Sequence, residues 1–438
     1  MKFKTIKFLL ALVLAPSILL AQEIKELNLN QAIALGIANS KNLKLSQSKI
    51  DEAIAQLEVV KDRVLPSADA SLLYTHAEIP ANTLILGGSP NAIHLPKRTD
   101  AFIGSVAVKE LVYQGGKLKL AEQSTKLLAD VARLDADKSK EEVTYAVIDM
   151  YYSLFKISQS EKVIDQNLNS IDAQIKQSQQ FFDQGLVTKN DVLRFKLQKA
   201  NVNLTKLDAE SNKKIITYNL DILLGLTENT EVKIEDPMLG AMNPTAMSNY
   251  LTMALATRQD LKQLDLRNKA AELNIKTVKA NVLPTVGVAA NLYYINPNGF
   301  IPQANQFVAP VTVGGSISWN FDALWTNKNK VSQAKIQQNE ITLQKDILTD
   351  QVKQEINSNY QAYKVAVDKI NILQTSITQA TENDNLLAAK YKNNIASVTD
   401  RIDAETLLYQ AKINLEIAKA DAGLAYYRLL KSTGKITQ

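Results

Sequence analysis

Cysteine is missing from all 438 positions, and histidine occurs only as His76 and His94. Without thiols there is no disulfide framework, no thiolate nucleophile and no cysteine to carry a lipid. The two histidines fall near one Pro/Gly-rich loop without a clear carboxylate partner, so the sequence offers no metal site, no cofactor and no catalytic constellation. An enzyme is the least expected class. Glycine and proline, the main interrupters of helical pattern, number only 15 and 11, which leaves room for very long helices. An excess of one charge is lacking too: the formal net charge of +5 becomes +2 when Lys2, Lys4 and Lys7 leave with the leader described next, and the electrostatic case for nucleic acid goes with them.

The chain opens MKFKTIKFLLALVLAPSILLAQ, three lysines, an apolar run from Phe8 to Leu20 and Ala21 at a cleavage point. That is the pattern of a secretory signal peptide over 1–21. As a membrane anchor the run is shorter than the roughly 20 residues a spanning helix needs, and Pro16 and Ser17 interrupt it.

Beyond the leader, a first repeat is expected over 22–225. Helical spacing from Gln31 to Val64 stops at Leu65-Pro66, and a period-two strand follows over about 66–76. A polar loop from His76 to Asp100 leads to a second strand, about 101–113, and Gln114-Gly115-Gly116-Lys117 reads as a strand-to-helix turn. Lys117 to Phe182 contains neither Pro nor Gly. Val143, Val147, Met150, Leu154 and Ile157 step by four and three, as do Ile164, Leu168, Ile171 and Ile175, which is a coiled-coil seam. At 1.5 Å per residue this helix is on the order of 100 Å long. A hairpin tip at about 183–190 turns it into a helix capped by Thr188 and Asp191 that runs to Leu224-Gly225. Residues 226–245 read as a linker.

The second repeat, 246–438, restates the first. Leu43, Lys44, Ala53, Val60, Lys61, Val64, Leu65 and Pro66 recur 218 positions later as Leu261, Lys262, Ala271, Val278, Lys279, Val282, Leu283 and Pro284. Strands at about 285–295 and 308–321 flank a loop at Asn296–Gln306, and a long helix from near Asn327 carries the seam Ile356, Tyr360, Tyr363, Val367 and Ile370. Its tip, about 392–399, matches the first: Ser397 and Asp400 stand 209 positions after Thr188 and Asp191. Four strands of membrane-crossing length cannot close a barrel, and lipid tolerates no open sheet edge, so strands from several chains must combine. In each half, two shorter helices stacked end to end equal the long one, which suits a tube.

The chain resembles the TolC-type outer-membrane efflux channels over essentially its whole mature length. The carriers are Val64-Leu65-Pro66 and Val282-Leu283-Pro284, Tyr113-Gln114-Gly115-Gly116, and the tips Gly185-Leu186-Val187-Thr188 and Ser397-x-x-Asp400. The resemblance implies a mostly α protein built from a duplicated helix-strand-strand-long helix-helix unit. It implies a homotrimer with a shared 12-stranded outer-membrane β-barrel, four strands from each of three chains, above a coiled-coil α-helical tunnel in the periplasm. It also implies partners: outer-membrane lipid, a periplasmic adaptor, and an inner-membrane pump of RND or ABC type, in efflux or type I secretion. The family places a pore constriction at a tyrosine followed by Asp-x-x-Asp, here Tyr391, Asp400 and Asp403. Five residues after the tyrosine the family relative has an arginine and this chain has Ala396, which takes one partner from any closed-state salt bridge.

Helix capping accounts for Asp400 but not for Asp403, whose counterpart 209 residues earlier is Arg194. A pore-lining carboxylate pair is therefore set against a solvated helix face, charged rings being how channels select ion sign. Gly185, Leu186, Val187 and Thr188 with Asn394, Ile395, Ala396 and Ser397 are expected to meet the adaptor, because plain turns give no reason to expose apolar groups. A secreted coiled-coil filament explains the leader and heptads but not the two strand pairs, and an adaptor would carry one hairpin rather than two.

Overall fold

The computed structural model describes residues 25–78, 80, 83–84, 93–94, 98–227, 230–237, 244–296 and 308–436. The signal peptide and most of the two strand-connecting loops named above lie outside the described residues. In chain order the elements are β1 (Lys25–Leu27), α1 (Leu29–Asn39), α2 (Lys41–Asp62), β2 (Ser67–Glu78), β3 (Thr83–Leu84), β4 (Ile93–His94), β5 (Arg98–Tyr113), α3 (Lys117–Asp183) and α4 (Lys189–Leu224). Then follow β6 (Val232–Ile234), α5 (Met247–Thr257), α6 (Gln259–Lys279), β7 (Thr285–Asn296), β8 (Val311–Ser318), α7 (Ala323–Lys392) and α8 (Val398–Ser432).

The duplication is structural as well as sequential. Adding 218 to the bounds of α1 and β2 reproduces those of α5 and β7. The two long helices have 67 and 70 residues, so each is on the order of 100 Å long. Their apolar seams are interior: Val147, Leu154, Ile164 and Ile171 of α3 are buried, as are Ile356, Tyr363 and Ile370 of α7. Several small clusters strung along the helices replace one central core.

Three features differ from the sequence reading. The segment Gln31–Val64 is two helices, broken at Ser40, whose backbone is extended and whose hydroxyl accepts from the N–H of Leu43 to start α2. Its counterpart Arg258 has no capping side chain. That break is held by the guanidinium instead, which donates to Asp260 two residues on and, from far along the chain, to Glu355 and the carbonyl of Ser432. Second, the linker contains β6, which pairs in parallel with β1, and the buried hydroxyl of Tyr151 reaches carbonyls of both flanks, Leu27 at 3.0 Å and Glu235 at 2.8 Å. Third, β2 runs through His76 to Glu78, β8 stops at Ser318 and α7 starts at Ala323, so His76 is a strand residue rather than a loop residue.

The short helices stack beside the long ones. α2 and α4 both pack along α3, and Asn39, the last residue of α1 just before α2, donates its side-chain N–H to the carbonyl of Leu224 at the end of α4 (2.7 Å). α6 and α8 both pack along α7, and their junction is joined by Thr257 donating to the carbonyl of Thr433. Each chain thus contributes four helical columns, two continuous and two stacked.

Candidate channel wall and helical tips

β2, β5, β7 and β8 form one antiparallel sheet in the order β2-β5-β7-β8. Because side chains alternate across a strand, registered rows belong to one face or the other. Ala70, Val106, Leu292 and Val311 form one row, and Ala68, Val108, Ala290 and Val313 the next row on the same face. The opposite face carries Asp69, Ala107, Asn291 and Thr312 in register, with Ser71 beside Ser105. Polar contacts run along that face: the hydroxyls of Ser71 and Ser105 are 2.8 Å apart, and Asn291 donates to Thr312. On the apolar face Leu72 is 76%, Val313 81% and Ile317 76% exposed, an arrangement stable only where lipid replaces water. Among the described residues, β2 and β8 each pair on one side and leave the other edge free.

At the helical end of the sheet, Trp319 donates its ring N–H to the carbonyl of Val282 and packs on Phe321 at 4.5 Å, while Trp325 is exposed. Aromatic rings at this level are the girdle that marks a membrane boundary. The strand-to-helix turn needs glycine at Gly115, whose φ is +62° and where a Cβ would press on Leu283 and the carbonyl of Ala280.

Both tips are the same device. Gly185 and Asn394, 209 apart, take positive φ (74° and 56°), and the following N–H groups reach back, Leu186 to Phe181 (2.8 Å) and Ile395 to Lys390 (2.9 Å). This is the Schellman ending of a helix, in which the residue after the left-handed one ordinarily packs on the last turn. Here Leu186 and Ile395 are exposed, Ile395 by 74%. Val187 and Ala396 are half-buried, and Thr188 and Ser397 exposed. Each new helix opens with a capping box: the Asp191 carboxylate accepts from the N–H and hydroxyl of Thr188, and that of Asp400 from those of Ser397. The Ser397 contacts hold the Asp400 carboxyl below its ordinary value.

The three expected constriction residues have different settings within the chain. Tyr391 is buried, with its ring against Phe181 (5.7 Å) and Phe195 (6.0 Å) in a cluster closed by Val398. Burial raises its hydroxyl, and Ser178 of α3 is the opposing polar contact. Asp400 and Asp403 lie instead on the exposed side of α8, one turn apart. The residues that join the two hairpins were missing from the sequence reading, apart from Arg194, noted there only as the counterpart of Asp403. Phe181 and Phe195 clasp Tyr391, Arg194 donates to Thr399 (2.6 Å), Gln198 to Thr406 (3.3 Å), and Gln174 to Glu405 (2.6 Å). Within the second hairpin Arg401 pairs with Asp384, both largely buried. The 209-residue offset that set Arg194 against Asp403 was the available signal for the first of these.

On the strands, His76 Nδ1 lies 2.7 Å from Asp100, which also accepts from Tyr74.

Residues 250–435 match the family described as "Outer membrane efflux protein". The outer membrane efflux protein BepC of Brucella suis biovar 1 (strain 1330) is 20% identical over 99% of this chain and 92% of its own length. Among solved structures, the outer-membrane channel OprN superposes with a TM-score of 0.76 at 17% identity, covering 93% of this chain and 90% of that one. VceC of Vibrio cholerae gives 0.75 at 16%, covering 93% and 96%. With the amphipathic sheet and the long hairpins, these likenesses give the chain the fold of the TolC-type outer-membrane channels, and its second repeat is similar to the outer membrane efflux proteins.

Proposed function

We propose that three copies form a passive exit duct of a tripartite efflux or type I secretion assembly, opened at its helical tips by an adaptor and pump. The observation that carries this reading is the four-stranded sheet with one apolar face, one polar face and two free edges. β2 and β8 run in opposite directions, so joining the β8 edge of one copy to the β2 edge of the next keeps the whole ring antiparallel. Two copies would give eight strands, a barrel whose interior side chains fill. Three give twelve strands above twelve helical columns and leave a lumen. Unpartnered apolar rows support the same association below the membrane. α4 exposes Leu193, Leu197, Leu204 and Leu207, and α7 exposes Val365, Ile372 and Leu386 at multiples of seven.

Leu186 and Ile395 are the proposed adaptor contacts, because the Schellman turn leaves them outward where the motif would tuck them in. Asp400 and Asp403 are the proposed ring of carboxylates at the aperture. Leu186→Asp and Ile395→Asp are expected to abolish efflux while a heat-resistant trimer still reaches the outer membrane. Efflux at wild-type level from both variants would remove the tips from the contact, and a monomer in that membrane would remove the shared barrel.

A further inference from the structure

Between α3 and α8, about two turns from the tip, lies a polar cluster that neither the channel wall nor the tip contact uses. Glu405 is 5% exposed, and its Oε2 accepts from Nε2 of Gln174, so this carboxyl joins the last helix of the second repeat to the long helix of the first. Ser170 of α3 also acts on this carboxyl and favours its ionised form, but Oε1 makes no hydrogen bond. Neither do Oε1 of Gln174, Oδ1 of Asn167 or the hydroxyl of Tyr409. Asn167, Ser170, Asp384, Glu405, Tyr409 and Lys412 line a cavity of about 60 Å³ beside it.

Three of the four unpartnered atoms are acceptors when Glu405 is ionised: its own Oε1, Gln174 Oε1 and Asn167 Oδ1. An ionised carboxylate adds one more acceptor where donors are short, while a neutral carboxyl supplies the missing O–H. The titratable and charged groups around Glu405 are Asp384 of α7 and Arg401, Tyr409 and Lys412 of α8, whereas the polar residues that α3 presents, Gln166, Asn167, Ser170 and Gln174, are neutral. On α4, Arg194 is engaged with Thr399 nearer the tip. Arg401, one turn before Glu405, is the natural counter-ion, but its guanidinium is held by Asp384 in a pair whose side chains are 8% and 15% exposed.

We propose that Glu405 is a proton-operated latch between the two hairpins: neutral, it donates to the α3 acceptors and seats α8 on α3; ionised, it leaves an uncompensated charge in the seam and frees α8. The proposal rests on the reading that the duct opens by movement of its tips. Burial is the largest influence on this carboxyl and raises it above its ordinary 4.5. A raised acid contributes stability that is whole below 4.5 and is lost as pH climbs through the raised value, so the acidic side is the latched side.

The absence of cysteine makes a single Ile395→Cys spin label clean in the full-length protein in lipid nanodiscs. Distances between the tips of neighbouring copies are then measured by pulsed electron resonance from acid to mildly alkaline pH. The long-distance population should grow as pH rises, by at most about tenfold per unit for one proton. Glu405→Gln, neutral at every pH, should keep the acidic distribution throughout. A wild-type distribution that ignores pH, or a Glu405→Gln protein that follows pH as wild type does, overturns the latch. If no inter-copy distance appears, the trimer has failed rather than the latch. The same titration is then read within one chain from labels at Leu186→Cys and Ile395→Cys, with the same two overturning results.

Discussion

Tyr391 meets Phe195 edge to face with ring centroids 6.0 Å apart, so the last turn of α7 is clasped by the first turns of α4 from the other repeat. The contact between the rings is apolar packing that a phenylalanine would keep, with the hydroxyl facing Ser178 of α3. Tyr391→Phe should therefore leave the tip intact. Tyr391→Ala removes a buried ring, a change worth about 3–5 kcal/mol for large aromatics in a packed core. The expected outcome is faster trypsin cleavage at the tip lysines, Lys189, Lys390 and Lys392, in Tyr391→Ala but not in Tyr391→Phe. Equal protection of both variants would show that Tyr391 does not hold the hairpins together.

A second contact between repeats is steric. Gly423 of α8 lies so close to Tyr152 of α3 that an added Cβ would stand 2.2 Å from the ring. Tyr152 is itself buried and cannot swing away. Gly423→Ala should cost about 1–3 kcal/mol by overpacking, read as a lower thermal midpoint. Tyr152→Leu in the same chain should recover part of that loss, and a strictly additive pair would show that the two residues are not in contact.

The sheet, the two long helices and both tips were legible because each is a local pattern: period two, a 4-3 seam, a cap three residues before an acid. The break at Ser40 was not, because helical spacing continues across it, and its twin Arg258 is held by Glu355 and Ser432, far away in sequence. β6 is three residues long and exists by pairing with β1 from the other end of the repeat, which no window of neighbours reveals. The tip itself was found, but Tyr391 was expected with Asp400 and Asp403 and lies buried, because Phe181 and Phe195 come from elements 196 or more residues away. Glu405 was passed over for the opposite reason. It stands two residues after Asp403 and reads as another surface acid until α3 is laid against it.

The chain has two tryptophans, Trp319 and Trp325, and both stand where the sheet meets the helices. In vesicles their emission should be quenched by lipids brominated near the headgroup more than by lipids brominated near the chain end, as an interfacial girdle requires. Trp319→Phe should leave the more water-accessible signal, since Trp325 is the more exposed of the two, 68% against 45%. Equal quenching at both depths would move the membrane boundary away from this junction.

The two tips share one cap but only the second adds a further acid, a difference that lets the proposed conductive role be tested apart from the structural one. Asp191 and Asp400 accept the same pair of hydrogen bonds, from Thr188 and Ser397. The Asp400 carboxyl is held below its ordinary 3.8, so its cap is complete above 3.8 and is lost as pH falls through the lowered value. Both of its contributions, cap and charge, are therefore present at neutral pH. If Asp400 and Asp403 ring the aperture, Asp403→Asn should reduce cation preference without loosening the tip, and Asp400→Asn should do both. Asp191→Asn should loosen its own tip and leave ion selectivity as it was. Planar-bilayer reversal potentials in a salt gradient decide the matter. A potential unchanged in Asp403→Asn, or shifted as far by Asp191→Asn as by Asp400→Asn, would place the selective ring somewhere other than the second tip.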